Sequence, residues 1–209
     1  MPSTKVPTGK CCAIVLAAGA GSRFRATDGR VGVHKLTALL SGRPVSSWAL
    51  EAVRQADFET VIVVTGAIEL DPHSTSFATI VHNPGWASGQ ATSLQCGLRV
   101  ADKLGTEAVV VGLGDQPFIT AAAWRAVAAS PSEIAVATYP DSDGRPRRAN
   151  PVLLRRSIWA LLPSEGDQGA RSLMSRRPEL VTEVSCTGSP VDIDTMEDLQ
   201  QWNSSTNSP

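Results

Sequence analysis

Two valine-rich runs, Val61-Ile62-Val63-Val64 and Val109-Val110-Val111, constrain this chain more than any other feature. A strand with one wet face alternates apolar and polar residues. A continuous β-branched run instead marks a strand covered on both faces, as in a parallel sheet held between helical layers. The valine runs extend over 60–65 and 108–113, and four more of similar character lie at 12–17, 79–81, 134–139 and 180–184. Helical patterns fall between them. Pro44 suits the first turn of a helix reaching about Gln55. Ser88 is placed to cap a helix from Gln90 to Ala101, and Thr120 one over 121–129. Thr195 with Asp198 has capping-box spacing for a last helix ending near Trp202. Strand and helix alternating almost to the end give an α/β fold, a three-layer α/β/α sandwich on a mostly parallel sheet. In such sheets ligands bind at the carboxyl ends of the strands.

The 209 residues form one domain, expected over 11–203, between a flexible tail at 1–10 and a disordered one at 204–209. A chain of this size buries about 70% of its unfolded surface and needs no disulfide or structural metal to fold. Lys plus Arg number 19 against 20 Asp plus Glu, a net charge of -1. That balance argues against generic nucleic-acid or membrane-surface binding, which need excess positive charge. No apolar run reaches the roughly 18 residues of a membrane span. The first ten residues are polar, carry Pro2 and Pro7, and lack a signal-peptide core, so the expected location is cytoplasmic. Cys11, Cys12, Cys96 and Cys186 show no C-x-x-C spacing and are expected as free thiols.

The first strand runs into Leu16-Ala17-Ala18-Gly19-Ala20-Gly21-Ser22-Arg23. Small residues let the backbone approach a ligand, and consecutive free amides form an anion-binding concavity. Arg23 and Lys35 add positive charge, with Arg25, Arg30 and His34 in the same stretch. A nearly neutral chain that gathers these cations in one loop points them at a polyanion. The pattern is neither G-x-x-x-x-G-K-[ST] nor G-x-G-x-x-G, because Phe24 stands where the third glycine would be. A tight turn with a solvated basic loop is the plainer alternative.

Two acidic segments follow other strands. Asp115, in Gly114-Asp115-Gln116-Pro117, sits at a strand's carboxyl end, where Pro117 stops the strand. In Val191-Asp192-Ile193-Asp194-Thr195, read as a strand, Asp192 and Asp194 project to one face. Two like charges on one face need a cation, a donor or water to compensate them. Asp194 also has a structural alternative at the positive end of the last helix. Oxygen ligands without Cys or His suit Mg²⁺, which combines carboxylates with substrate phosphates.

Together these segments resemble the MobA-like nucleotidyltransferases, and within them the molybdenum cofactor cytidylyltransferase (MocA-type) branch. The resemblance is carried by Leu16-Ala17-Ala18-Gly19 with Arg23 and Lys35, and by Asn83-Pro84-Gly85-Trp86 leading to Gly89 and Thr92-Ser93-Leu94. It continues through Gly114-Asp115-Gln116-Pro117, Gly166-Asp167-Gln168-Gly169-Ala170-Arg171 and Asp192-Ile193-Asp194-Thr195. It implies the Rossmann-like nucleotide-diphospho-sugar transferase fold, with CTP and molybdopterin as substrates and Mg²⁺ as cofactor. It also implies a molybdoenzyme of the xanthine dehydrogenase type, or its chaperone, as partner. By resemblance Leu16 to Arg23, Lys35, Thr92 and Ser93 bind the nucleotide, Arg23, Lys35 and Asp115 carry the catalysis, and Asp115 with Asp192 or Asp194 binds the metal. Ala18, where guanine-selecting relatives have glycine, implies CTP. The chain departs from the family pattern in a longer stretch between Arg23 and Lys35 and in Ala149-Asn150-Pro151.

A guanylyltransferase, a sugar-phosphate nucleotidyltransferase and a non-catalytic carrier of the finished cofactor remain alternatives. No Ser-His-Asp order or G-x-S-x-G elbow supports acyl transfer. His34 reads as a flexible surface residue, and His73 and His82 have no partner in sequence reach. Trp86, Trp124, Trp159 and Trp202 read as packing, with Trp86 also placed to line a pocket. Arg145, Arg147 and Arg148 either grip an acceptor phosphate or, opposite Asp141 and Asp143, form a solvated loop.

Overall fold

The computed structural model describes residues 11–24 and 33–205. Readings that fall on 1–10, 25–32 or 206–209, among them Arg25 and Arg30, lie outside the described residues. The first half of the chain contains β1 (Cys11–Ala17), β2 (Leu39–Leu40), β3 (Arg43–Pro44), α1 (Val45–Gln55), β4 (Val61–Thr65), α2 (Pro72–Thr75), β5 (Thr79–His82) and α3 (Gln90–Lys103). The second half contains β6 (Ala108–Leu113), α4 (Ala121–Ala128), β7 (Ile134–Pro140), β8 (Pro146–Arg155), α5 (Arg171–Arg176), β9 (Val181–Ser185) and α6 (Met196–Ser205). A seven-stranded sheet runs in the order β5-β4-β1-β6-β8-β7-β9. Every pairing is parallel except those of β8, which is antiparallel to both β6 and β7.

The doubly apolar runs have their expected cause. Alternate residues of β1 serve opposite layers: Ala13 and Val15 join Leu50, Val53 and Trp124 of α1 and α4, while Ile14 and Leu16 join Leu94, Leu98, Leu173 and Met174 of α3 and α5. Each fully buried aliphatic side chain of this kind contributes about 1.5–3 kcal/mol. The sheet is therefore the middle layer of an α/β/α sandwich. A third apolar cluster, holding Phe24, Leu40, Val45, Ile193 and Leu199, lies under α6 and the β2–β3 hairpin. No helix among the described residues is long and apolar enough to cross a membrane. All four cysteines are free.

Several local expectations change. The sequence leaves 146–155 without a strand, yet it forms β8. Its first half, Pro146-Arg147-Arg148-Ala149-Asn150-Pro151, is polar and hides it, and its pairing slips opposite Val136 and Ala137 so that Asn150 and Pro151 are extra residues. Ser88 does not cap α3. It lies in a 3₁₀ turn, and Gly89 takes the cap position with φ 104°. A Cβ there would sit 2.5 Å from the Gly166 carbonyl carbon, so the docking of the 165–169 loop requires glycine at this point. Pro44 precedes α1 rather than entering it. The Asp192–Asp194 segment belongs to no strand. It is held by Ile193 N–H donating to the Asp115 carbonyl at 3.0 Å. The alternation survives because Ile193 is fully buried. Thr120 caps α4 by accepting from Ala123 N–H at 3.1 Å. Thr195 and Asp198 form the capping box at α6, which runs past Trp202 to Ser205.

Candidate active site

The carboxyl ends of β1, β4 and β6 lie level, since Ala17 pairs with Thr65 and Leu16 with Leu113. The loop after β1 is tied to both neighbours. Gly114 N–H donates to the Leu16 carbonyl at 2.9 Å, and Ala67 N–H to the Ala18 carbonyl at 3.1 Å. Leaving the sheet, the loop exposes Gly19, Ala20, Ser22 and Arg23 and then buries Phe24. Leu16, Ala17, Ala18, Gly19, Ala20 and Ser22 line a cleft of about 380 Å³ together with Lys35, Ser93 and Asp115. Gly21 packs against His34 and Lys35 behind the loop.

Charge collects at one end of this cleft. The Lys35 ammonium lies 2.5 Å from Asp115 Oδ2 and 2.7 Å from Asp194 Oδ1. Arg23 Nη1 is 2.9 Å from Asp194 Oδ2, and its side chain is 76% exposed against 13% for Lys35. Burial pushes the lysine's pKa down, but the two carboxylates outweigh it and hold the ammonium above its ordinary value. Arg23, Lys35, Asp115 and Asp194 thus form one alternating chain of charge.

The three aspartates have different surroundings. Both oxygens of Asp194 face cations, and its backbone N–H joins the start of α6 through Asp198 Oδ2 at 3.0 Å. Asp115 Oδ1 and Asp192 Oδ1 are buried without a hydrogen-bond partner. Two orphaned carboxylate oxygens, one of them on a residue that lines the cleft, are donors of the kind a hard divalent cation takes, with phosphates and water filling its other positions. Among the described residues no three His, Cys, Asp or Glu side chains converge as a metal cage. Asp192 also accepts from the amide of Gln116. Gln116 is buried, donates to the Pro190 carbonyl at 3.3 Å, and accepts from Asn150 Nδ2 at 3.0 Å. Asn150 therefore presents a donor to Gln116 Oε1, which leaves the Gln116 amide nitrogen to face the Pro190 carbonyl.

Burial, helped by the negative charges of Asp115 and Asp194, raises Asp192 from the ordinary 3.8 to about 6. The folded value lies above the unfolded one, so this group favours the folded state as pH falls from about 6 toward 4 and gives no such gain above 6. A bound divalent cation favours the carboxylate and moves the titration down. Carboxyl-carbon NMR on cation-free protein should find Asp192 titrating near 6, and saturating Mg²⁺ should lower that midpoint. A midpoint that Mg²⁺ leaves in place would remove Asp192 from the ligand set.

Thr92 and Ser93 behave differently. The Thr92 hydroxyl lies 2.8 Å from the Gly89 carbonyl and 3.0 Å from that of Gly85, so it braces the turn before α3. Ser93 is buried beneath the cleft and accepts from Asn83 Nδ2 at 2.9 Å. Trp86 lines the cleft, as its turn position allows, and Trp124 is core. The sequence-derived site lacks Gln90 and Asp167, which also line the cleft. The 165–169 loop brings them there by docking on α3, with Ala91 N–H donating to the Gly166 carbonyl at 2.9 Å. Gly89 beside Gly166 was the available sign of that docking. A second cavity of about 250 Å³ shares Leu16 and Gln90 with the first. Its walls are apolar, with Val111, Val136, Val152 and Leu154, and Arg148, Asn150, Gln168 and Arg171 supply polar groups. Arg148 pairs with Glu183 at 2.7 Å, while Asp141 instead accepts from the Asp143 and Arg145 amides in the β7–β8 turn.

The chain is similar to several known proteins. Residues 13–181 match the family described as the MobA-like NTP transferase domain. The nicotine blue oxidoreductase of Paenarthrobacter nicotinovorans is 29% identical over 202 residues, covering 89% of this chain and 93% of that protein. The bifunctional protein GlmU of Cutibacterium acnes is 37% identical over 111 residues, 51% of this chain but 25% of that protein, so the match spans about a quarter of that relative's length. A solved structure of Rv0371c from Mycobacterium tuberculosis, in complex with manganese, has a TM-score of 0.66 at 25% identity and covers 94% of this chain and 99% of its own.

Proposed function

The chain belongs to the MobA-like NTP transferase family, and from that premise we propose that it transfers CMP from CTP to the terminal phosphate of molybdopterin and releases pyrophosphate. The observation that carries the reading is the Asp115–Lys35–Asp194–Arg23 chain of charge facing a glycine-rich anion cleft, beside two carboxylate oxygens that lack partners. The loop from Leu16 to Ser22 cradles the triphosphate with its amides. Lys35 and Arg23 neutralise phosphate charge. Asp115 and Asp192 hold a divalent cation, for which Mg²⁺ is our choice, and the cation supplies electrostatic stabilisation of charge on the transferring phosphate. The acceptor phosphate attacks the α-phosphorus in line. A phosphate monoester is already an anion, so no strong general base is needed, and the barrier is one of positioning and charge repulsion. That accounts for a site of Asp, Lys, Arg and Gly without a nucleophilic Ser or Cys. The second cavity, which shares Leu16 and Gln90 with the cleft, suits the heterocyclic body of the acceptor, with the phosphate end reaching toward Lys35.

Base choice rests on Ala18. Its carbonyl already accepts from Ala67, and that of Leu16 from Gly114. The first loop therefore selects by shape more than through those two oxygens. The Ala18 methyl narrows the cleft and disfavours a purine by about 1–3 kcal/mol, or tens-fold in efficiency. Initial rates of pyrophosphate release with CTP and GTP test this. CTP should be preferred, Ala18→Gly should narrow the preference, and equal efficiency in the wild type would transfer the reading to a guanylyltransferase. A second reading is a redox activity on a heterocycle, favoured by the apolar second cavity and by the relative that is named an oxidoreductase. Consumption of a nicotinamide hydride donor, with no pyrophosphate release, would establish that reading instead.

A further inference from the structure

The glycine loop and the lysine segment are joined by a side chain to which the chemistry above gives no task. His34 does not behave as the flexible surface histidine that its sequence suggests. Its Nε2 lies 2.9 Å from the Gly19 carbonyl oxygen, and its Nδ1 lies 3.2 Å from the Leu36 nitrogen. A backbone N–H can only donate, so Nδ1 is the acceptor and carries no proton. In the neutral ring the proton then sits on Nε2 and is donated to Gly19. Burial, the largest influence, holds the ring below its ordinary pKa and favours that neutral form.

Gly19 carries no side chain to fix it. It is exposed, and a Cβ built on it would meet no atom within 4 Å. The space beside it is open, and its carbonyl is held by the hydrogen bond to His34. Gly21, at φ 59°, makes room for the ring, since a Cβ there would come within 3.1 Å of His34 Nε2. The described residues on either side of 25–32 are anchored. Phe24 is buried in the third apolar cluster and donates its N–H to the Gly21 carbonyl at 2.9 Å. His34 fastens the segment that leads into Lys35.

We propose that His34 is a positioning residue that clasps the glycine loop to the lysine segment and keeps the Gly19 carbonyl oxygen on its ring and away from the bound triphosphate. A carbonyl oxygen turned into the cleft would repel a polyanion, and an unpacked glycine turns at little cost. The clasp also sets the distance between the loop amides and Lys35 whatever the length of the intervening excursion. It rests on the reading that the first loop holds a nucleoside triphosphate.

The test measures binding of Mg²⁺-CTP, and of inorganic tripolyphosphate, which carries no base, by calorimetry on the wild type and on His34→Ala, His34→Asn and His34→Gln. A glutamine amide nitrogen reaches about as far as Nε2, whereas asparagine reaches only about as far as Nδ1. The loss expected for one hydrogen bond is about five- to tenfold for both ligands in the alanine and asparagine variants, seen in KM more than in kcat. His34→Gln should recover affinity to within about twofold, with the thermal midpoints of all variants alike. Unchanged affinity in His34→Ala, or no recovery in His34→Gln, overturns the clasp. A wild-type protein that binds neither ligand refutes the triphosphate reading itself, and the clasp falls with it.

Discussion

Asp115→Ala yields a folded protein that no longer turns over. The side chain follows the end of β6 and belongs to none of the three apolar clusters. Its backbone carbonyl, which holds Ile193 at 3.0 Å, is retained in the variant. The fold should therefore keep its circular dichroism spectrum and melt cooperatively. What is lost is Oδ1, buried without a partner, and Oδ2, which holds Lys35 at 2.5 Å. Removing preorganised electrostatic stabilisation of this kind costs about 10²- to 10³-fold in kcat. The loss should persist at saturating CTP and divalent cation, because it is a loss of transition-state stabilisation and not of occupancy. Activity within a few-fold of wild type under those conditions would exclude Asp115 as an essential ligand.

Lys35→Ala should have a comparable effect on rate and a different signature. The ammonium sits between Asp115 and Asp194, and its removal leaves Asp192 with them and only the exposed Arg23 for balance. Removing one partner of a buried ion pair costs about 3–5 kcal/mol of stability, and an open cleft with Arg23 in reach softens that figure. Divalent cation affinity should hold or rise, because carboxylate oxygens are released. CTP affinity should fall, and kcat should drop by about 10²-fold if the ammonium meets phosphate charge as it develops. Calorimetry with Mn²⁺ and with CTP separates the two effects. Unchanged CTP affinity and rate would leave Lys35 a structural counter-ion and the first loop a turn.

Much of this site could be read from the sequence because its parts lie at strand ends. Continuous apolar runs placed β1, β4 and β6, and the rule that ligands bind at carboxyl ends then pointed to Ala18, Gly19 and Asp115. Asp192 and Asp194 share a face for the reason given, alternation, although no strand forms there. What stayed hidden depends on contacts distant in sequence. β8 carries arginines and prolines in its first half because that half pairs with β7 alone, beyond the reach of β6, and Arg148 and Asn150 line a cavity. Gln90 and Asp167 reach the cleft only because one loop docks on another across a glycine. Which aspartate oxygens lack partners is decided by Lys35, Arg23 and Gln116, which lie far from them in the chain.

The central claim is that the α-phosphorus of a nucleoside triphosphate is the point of attack. Its most direct test incubates the protein with Mg²⁺, molybdopterin and CTP radiolabelled at either the α- or the γ-phosphate, and follows each label. The account requires the α-label to appear on the acceptor as a CMP adduct, in step with pyrophosphate release, and the γ-label to remain entirely in pyrophosphate. Transfer of the γ-label to the acceptor, or no transfer of either label with any of the four nucleoside triphosphates, would contradict it.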